Sequence, residues 1–182
     1  MNAQRLETSR LLHRFGFGPR PGEYAQALID GVAATRSKVL TVPPVDSGAA
    51  KVVEPEMTDL GPRPKPNTAE IVPFAIAMRY QTQQMVVWWL DRMAASDHGL
   101  TERMTWFWHG HWATSVDKLN YPLPMFKQNK TMRATCLGNF ATMTKAMIND
   151  GALQFWLDGQ DNTSKAPNEN LGRELMELFT LG

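Results

Sequence analysis

The stretch Asn168–Gly182, which reads NENLGRELMELFTLG, is the part of the chain from which the fold can be worked out. Successive residues of an α-helix turn by about 100°, so Asn170, Glu174 and Glu177 fall on one arc roughly 60° wide. The large apolar residues fall on a second arc: Leu171, Leu175, Leu178 and Phe179. The spacing predicts a helix with one apolar face for a core and one polar face with two carboxylates.

The same helical periodicity recurs through the rest of the chain. It predicts helices over about residues 5–14, over 21–40 as one helix or two short ones interrupted near Gly31, and over Ile71–Ala95. Further helices are predicted from Thr101 through Trp112 and over about 137–149, with a break at 121–124, and 152–157 is a short apolar turn or helix. The Met and Trp stripe of Ile71–Ala95 is interpreted as core packing rather than a cofactor pocket. Because no alternating pattern typical of strands occurs, the fold class is all-α, an irregular multi-helix bundle.

Residues 41–70 differ in composition from the helices around them. They are poor in large apolar residues and contain six prolines: Pro43, Pro44, Pro55, Pro62, Pro64 and Pro66. Proline lacks the backbone N–H that helices and sheets use. Long structureless connections are uncommon in compact domains, so we interpret this stretch as a surface loop or lid within one domain spanning 1–182.

Composition and charge exclude several classes of function. Lysine plus arginine (19) nearly balance aspartate plus glutamate (18), so no overall field favours nucleic acid. The single cysteine, Cys136, excludes an internal disulfide framework and is expected to pack in the core. The sequence contains neither a signal-peptide pattern nor an apolar run of the ~20 residues that a membrane span needs. The compartment is therefore undetermined, with the cytoplasm as the default expectation.

His109 and His111 are the first candidates for chemistry. Side chains two residues apart on a regular helix point about 200° apart, so both can reach one metal only if the backbone turns near Gly110. In that case they are candidate metal ligands or acid/base groups. The alternative is that a histidine packs among the neighbouring tryptophans with its ring nitrogens hydrogen-bonded.

Glu174 and Glu177 are the second candidates. Glu174 borders the apolar arc, where a carboxylate suits general acid/base work or metal binding beside Glu177 and a histidine. The alternative is a solvated charged face in which Arg173 pairs with Glu169 and Glu177, each pair contributing a few tenths of a kcal/mol. Spacing alone leaves both interpretations open.

Five motifs follow one another along the chain: residues 11–19 (LLHRFGFGP), 107–115 (FWHGHWATS), 137–140 (LGNF), Leu157-Asp158 and 168–182. In this order, they resemble the motifs of the bacterial DUF1800 family. The family has no established activity, and its members are usually longer, so the resemblance implies that a C-terminal half of the protein is missing here. Gly110 stands where members commonly carry Asn, and Gly172 where Ala is common.

The resemblance supports the hypothesis of a functional site at these histidines and glutamates, but it does not identify a reaction. The first hypothesis is a hydrolytic or redox enzyme in which His109, His111, Glu174 and Glu177 act as catalytic groups or as ligands of a divalent metal. Asp158, Asn170 and Arg173 would support them. The alternative hypothesis is a non-enzymatic helical scaffold that acts with a partner protein, for which the resemblance implies a DUF1501-family protein as a candidate.

Overall fold

In the computed structural model, which describes residues 3–181, the chain is all-α. No strand is present among these residues, and the sole β feature recorded in them is an isolated bridge between Thr163 and Ala166. The α-helices are α1 (Ala3–Arg14), α2 (Glu23–Asp30), α3 (Val32–Leu40), α4 (Ile71–Ala95), α5 (Leu100–Trp112), α6 (Val116–Leu119), α7 (Pro122–Thr135), α8 (Phe140–Ile148), α9 (Gly151–Trp156) and α10 (Asn170–Glu174). A π-helical segment, Leu175–Thr180, follows α10.

The chain divides into two compact units. The first comprises Met1–Glu54 and Trp88–Trp106, and the second comprises Pro55–Val87 and Phe107–Gly182. The division falls inside α4 and α5, so each of these helices contributes residues to both units. Every sequence-predicted site residue belongs to the second unit.

In the first unit, α1 packs against α2 and α3. Gly31 separates α2 from α3 with a φ of 85°, a conformation that glycine adopts without strain, which confirms the predicted break. Arg20 caps the C-terminal end of α4, where its Nη2 donates to the carbonyl of Ala95 at 3.0 Å and to that of Ser96. Its Nη1 pairs with Asp97 Oδ1 at 2.6 Å. The last carbonyl groups of a helix have no hydrogen-bond donor within the helix, so this arginine supplies a donor to the carbonyls at the end of α4.

Asp46 fixes the segment that follows α3 within the same unit. Its carboxylate accepts hydrogen bonds from Ala49 N (2.8 Å), Ser96 Oγ (2.6 Å), Asp97 N (2.8 Å) and His98 N (2.8 Å). Burial raises the pKa of Asp46, but these hydrogen bonds lower it by more, to about 2. Between α3 and α4 the described helical structure is one 3-10 turn, Ala49–Lys51, and a lid role for this stretch stays a prediction.

The second unit contains two helices that the sequence analysis missed, the short α6 and the longer α7. Pro122 and Pro124 were interpreted as a break, whereas they occupy the first turn of α7. Proline suits that position because the first N–H groups of a helix have no internal acceptor. The helix predicted over 137–149 begins later, at Phe140, with Asn139 capping it by accepting from Thr142 N at 3.2 Å. The core of this unit is rich in methionine and includes Met125, Phe126, Met132, Met143, Met147, Leu153 and Phe179.

α4 has the predicted bounds, but only one of its faces is covered. Met85 and Trp88 are buried, as the core interpretation requires. The opposite face is apolar too, yet Val72, Ile76 and Tyr80 are exposed by 61%, 64% and 60%. No helix of the described residues is long and apolar enough to cross a membrane.

Candidate functional site

α5 presents the two candidate histidines from an unbroken helix. It runs through Gly110 to Trp112 and stops at Ala113, whose φ of 44° is left-handed. The backbone therefore does not turn between His109 and His111, and their side chains leave the helix about 200° apart. His109 and His111 could bind one metal only if the backbone turned near Gly110, and it does not.

His111 is held by the end of the chain's last helical stretch. Its Nε2 lies 3.0 Å from the carbonyl oxygen of Phe179. A carbonyl can only accept, so Nε2 carries the proton in this tautomer. The imidazole also lies edge-on to four aromatic rings, with centroid distances of 5.4–6.3 Å: Trp108, Trp112, Phe140 and Phe179. His111 thus joins α5 to the π-helical segment.

His109 is half-buried on another side of α5. Burial lowers the pKa of its imidazole below the ordinary value of 6.5. At neutral pH the ring is therefore uncharged, so one ring nitrogen can accept a proton or a hydrogen bond.

The helix that bears the carboxylates changes its winding after Glu174. In the π-helical segment Leu181 N donates to Met176 O at 2.8 Å, a five-residue step instead of the α-helical four. The wider turn alters which side chains face the core. Phe179 is buried as predicted at 4% exposure, but Leu178, which was placed on the same apolar arc, is 63% exposed.

Arg173 gathers the polar side chains of this helix. Its Nη2 donates to Asn170 Oδ1 at 2.9 Å and lies 2.9 Å from Glu174 Oε1, while its Nη1 lies 3.9 Å from Glu177 Oε2. Glu174 is largely covered, with 16% of its side chain exposed, whereas the Glu177 side chain is 62% exposed. Glu174 and Glu177 therefore share the guanidinium of Arg173. The pairing of Arg173 with Glu177 is the one expected for a solvated charged face.

Asp158 supports the start of α10 mainly through its backbone. Its carbonyl accepts from Asn168 Nδ2 at 2.8 Å, and the carbonyl of Leu157 accepts from Asn170 Nδ2 at 3.2 Å. The Asp158 carboxylate is exposed and lies 3.8 Å from Lys118 Nζ. Asp158 adopts a left-handed φ of 57°, which turns the chain after α9.

The predicted residues do not form a metal site by themselves. Within residues 3–181, no three His, Cys, Asp or Glu side chains lie close enough together to hold a metal ion. A site for a divalent metal needs several such ligands at about 2.0–2.6 Å. His109, His111, Glu174 and Glu177 therefore do not fit the metal centre proposed from the sequence.

A buried polar network that the sequence analysis missed lies in the second unit. Thr114 Oγ1 donates to Gln128 Oε1 at 2.5 Å, and Gln128 Nε2 donates to Asp150 Oδ1 at 2.8 Å. Asp150 also caps α9 by accepting from Leu153 N at 3.0 Å. Burial raises the pKa of Asp150, and its hydrogen bonds oppose that shift. Its position directly before the apolar run of α9 is the sequence signal that indicates a cap.

The first unit holds a buried ion pair of its own. Glu102, 1% exposed, accepts from Arg92 Nε at 3.0 Å and from Trp89 Nε1 at 3.1 Å. A cavity of about 230 Å³ lies elsewhere in this unit, with Glu23 and Lys38 on its wall. Those two side chains approach each other to 3.9 Å, and the cavity contains none of the sequence-predicted site residues.

The fold and the site together define an all-α protein in which a histidine of α5 ties the last described helical stretch into the second unit. The chain belongs to the DUF1800 family, described as "Protein of unknown function (DUF1800)", whose family model matches residues 10–182. No curated protein and no solved structure matches the chain.

Proposed function

We propose that this chain is a non-enzymatic helical scaffold that acts with a partner protein. The observation that supports the proposal best is the arrangement around Arg173, which engages Asn170, Glu174 and Glu177 on its own helix. Carboxylates paired with a cation on the same helix stabilise that helix and hold the side chains in place.

The contacts of His111 support the same interpretation. Its ring donates to a carbonyl at the end of the π-helical segment and is enclosed by aromatic rings. The last carbonyls of a helix have no partner within it, so a side-chain donor at this point anchors the helix end. In the proposal, His111 fixes how the last described helical stretch packs, while Arg173 holds the polar side chains of that stretch in place. Together they shape the surface that a partner meets.

Metal analysis tests the scaffold proposal directly. The full chain, His111→Ala and Glu174→Ala would each be purified without chelator, and their metal content measured by plasma mass spectrometry. The proposal predicts no stoichiometric metal in any of the three. One equivalent of metal in the wild type that disappears in both variants would overturn the proposal.

A DUF1501-family protein is the candidate partner, and binding can be measured with purified components. Isothermal titration is expected to show binding that survives Glu177→Ala, since the Glu177 side chain is exposed and only weakly paired. Absence of heat and of co-elution at about 100 μM, where weak complexes still form, would refute this partner.

The half-buried His109 supports a second candidate function, a hydrolytic or redox enzyme. A neutral imidazole with a lowered pKa can act as a general base, and Glu174 is a largely covered carboxylate. Chromogenic ester and phosphoester substrates would test the hydrolytic form. Turnover that His109→Gln abolishes, while His13→Gln at an exposed position of α1 retains it, would favour the enzyme over the scaffold.

A further inference from the structure

The exposed apolar face of α4 in the second unit is long, and two polar side chains, Arg79 and Gln83, interrupt it. Val72, Ile76 and Tyr80 follow one another at four-residue spacing, and Val86 and Val87 continue the row, exposed by 46% and 47%. We call these five side chains the α4 stripe. Residues spaced in this way share one face of a helix. The stripe runs from residue 72 to residue 87, fifteen steps along the helix or about 22 Å at 1.5 Å per step.

The face of α4 opposite the stripe is already occupied within the second unit. Phe74 meets Tyr121 edge-on at 6.2 Å, and Gln81 Nε2 donates to Thr58 Oγ1 at 2.8 Å. A helix that is apolar all round is normally buried all round. The stripe is therefore the side of α4 that lacks cover in the described chain.

The charges and area of the stripe fit a second copy of the same chain. Arg79 is the sole charged residue between Ile71 and Val87, so two stripes can face each other without opposing rows of charge. Five side chains that each expose roughly 100 Å² give roughly 500 Å² per copy, near the largest patches found on monomers. Two copies would bury about 1,000 Å², the lower bound for a specific interface.

We propose that α4 pairs antiparallel with α4 of a second copy about a two-fold axis between Arg79 and Tyr80. In this register Val72 of one copy lies opposite Val87 of the other, and Ile76 opposite Gln83. Arg79 of each copy then lies beside the partner copy's ring at position 80, where a guanidinium and an aromatic face attract each other. The interface is isologous, because the same stripe serves both copies.

Sedimentation of the full chain between about 5 and 200 μM, the range for weak dimers, tests the pairing. The wild type is expected to shift from monomer to dimer, and Ile76→Glu to stay a monomer over the whole range. Ile29→Glu is the matched control, since Ile29 is 79% exposed on α2, outside the stripe. Circular dichroism checks that both variants fold. A wild type that stays monomeric, or a dimer that survives Ile76→Glu, overturns the proposal.

Engineered cysteines test the register, in a Cys136→Ser background. Residues 72 and 87 of one helix lie about 22 Å apart, too far for a disulfide within one chain. The double variant Val72→Cys/Val87→Cys is therefore expected to give a disulfide-linked dimer on mild oxidation, and Val72→Cys alone is not. A dimer cross-linked by Val72→Cys alone would indicate parallel pairing and overturn the antiparallel one.

Discussion

Replacing Asp150 with alanine should destabilise the second unit by more than the loss of one helix cap. The carboxylate caps α9 through Leu153 N and also accepts from the buried Gln128 amide, which is 0% exposed. Losing a cap costs about 1 kcal/mol, and leaving a buried donor without an acceptor costs about 1–3 kcal/mol more. We therefore expect Asp150→Ala to lower the free energy of unfolding by about 2–4 kcal/mol.

Chemical denaturation with a matched control separates the two contributions. Asn139→Ala removes the cap of α8 at an exposed position, so it should cost only the cap, about 1 kcal/mol. For a chain of this size, Asp150→Ala should lower the melting temperature by roughly 4–16 °C. If Asp150→Ala costs no more than Asn139→Ala, the buried network does not stabilise the unit and the reasoning is refuted.

The ionisation of Asp150 adds a dependence on pH. Burial raises its pKa in the folded state above the ordinary 3.8, so the folded state favours the protonated acid. This stabilising contribution is fully present below about pH 3.8 and is lost as pH rises through the folded pKa. Asp150→Asn should abolish that part of the pH profile of unfolding. An unchanged difference between wild type and Asp150→Asn from about pH 3 to 7 would contradict the assignment.

The remaining predictions concern the first unit and α5. The pKa of Asp46 is lowered to about 2, so its ionised carboxylate stabilises the fold above pH 3.8. That contribution, roughly 1–2 kcal/mol after allowance for solvent screening, is lost as pH falls toward 2 and should be absent from acid titrations of Asp46→Asn. Arg92→Met should cost about 3–5 kcal/mol in denaturation, because it removes the cation beside the buried Glu102; a loss below 1 kcal/mol would contradict this. Gly48→Ala should prevent or strongly weaken folding, since its Cβ would lie 1.9 Å from a backbone oxygen, whereas Gly110→Ala meets no atom within 4 Å and should raise stability by about 1 kcal/mol.

The sequence predicted those parts of the fold that depend on local periodicity and turn chemistry. α4 has the predicted bounds, and the break at Gly31 follows from a conformation that glycine favours. α7 was missed because prolines were weighed as helix breakers, although Pro122 and Pro124 stand in the first turn. The glycine at the break and the prolines at the start of α7 are both local sequence signals. The prolines were visible in the sequence but were misinterpreted.

The site depends on contacts that local spacing does not contain. The bond between His111 and Phe179 joins residues 68 positions apart, and the π-helical winding that exposes Leu178 deviates from the regular period used to place it. Spacing predicted the approach of Arg173 to Glu177, because residues four apart are neighbours on a helix. Whether the histidines and carboxylates lie close together depends on tertiary contacts, which spacing along the sequence does not determine.

The most direct test of the scaffold account is the free energy of unfolding of His111→Ala. If His111 anchors the end of the last helical stretch, its loss removes the hydrogen bond to Phe179 and several edge-on ring contacts, and should cost about 2–4 kcal/mol. His13→Ala, at an exposed position of α1, should change stability by less than about 0.5 kcal/mol. A His111→Ala protein as stable as the wild type, or more stable, would contradict the account.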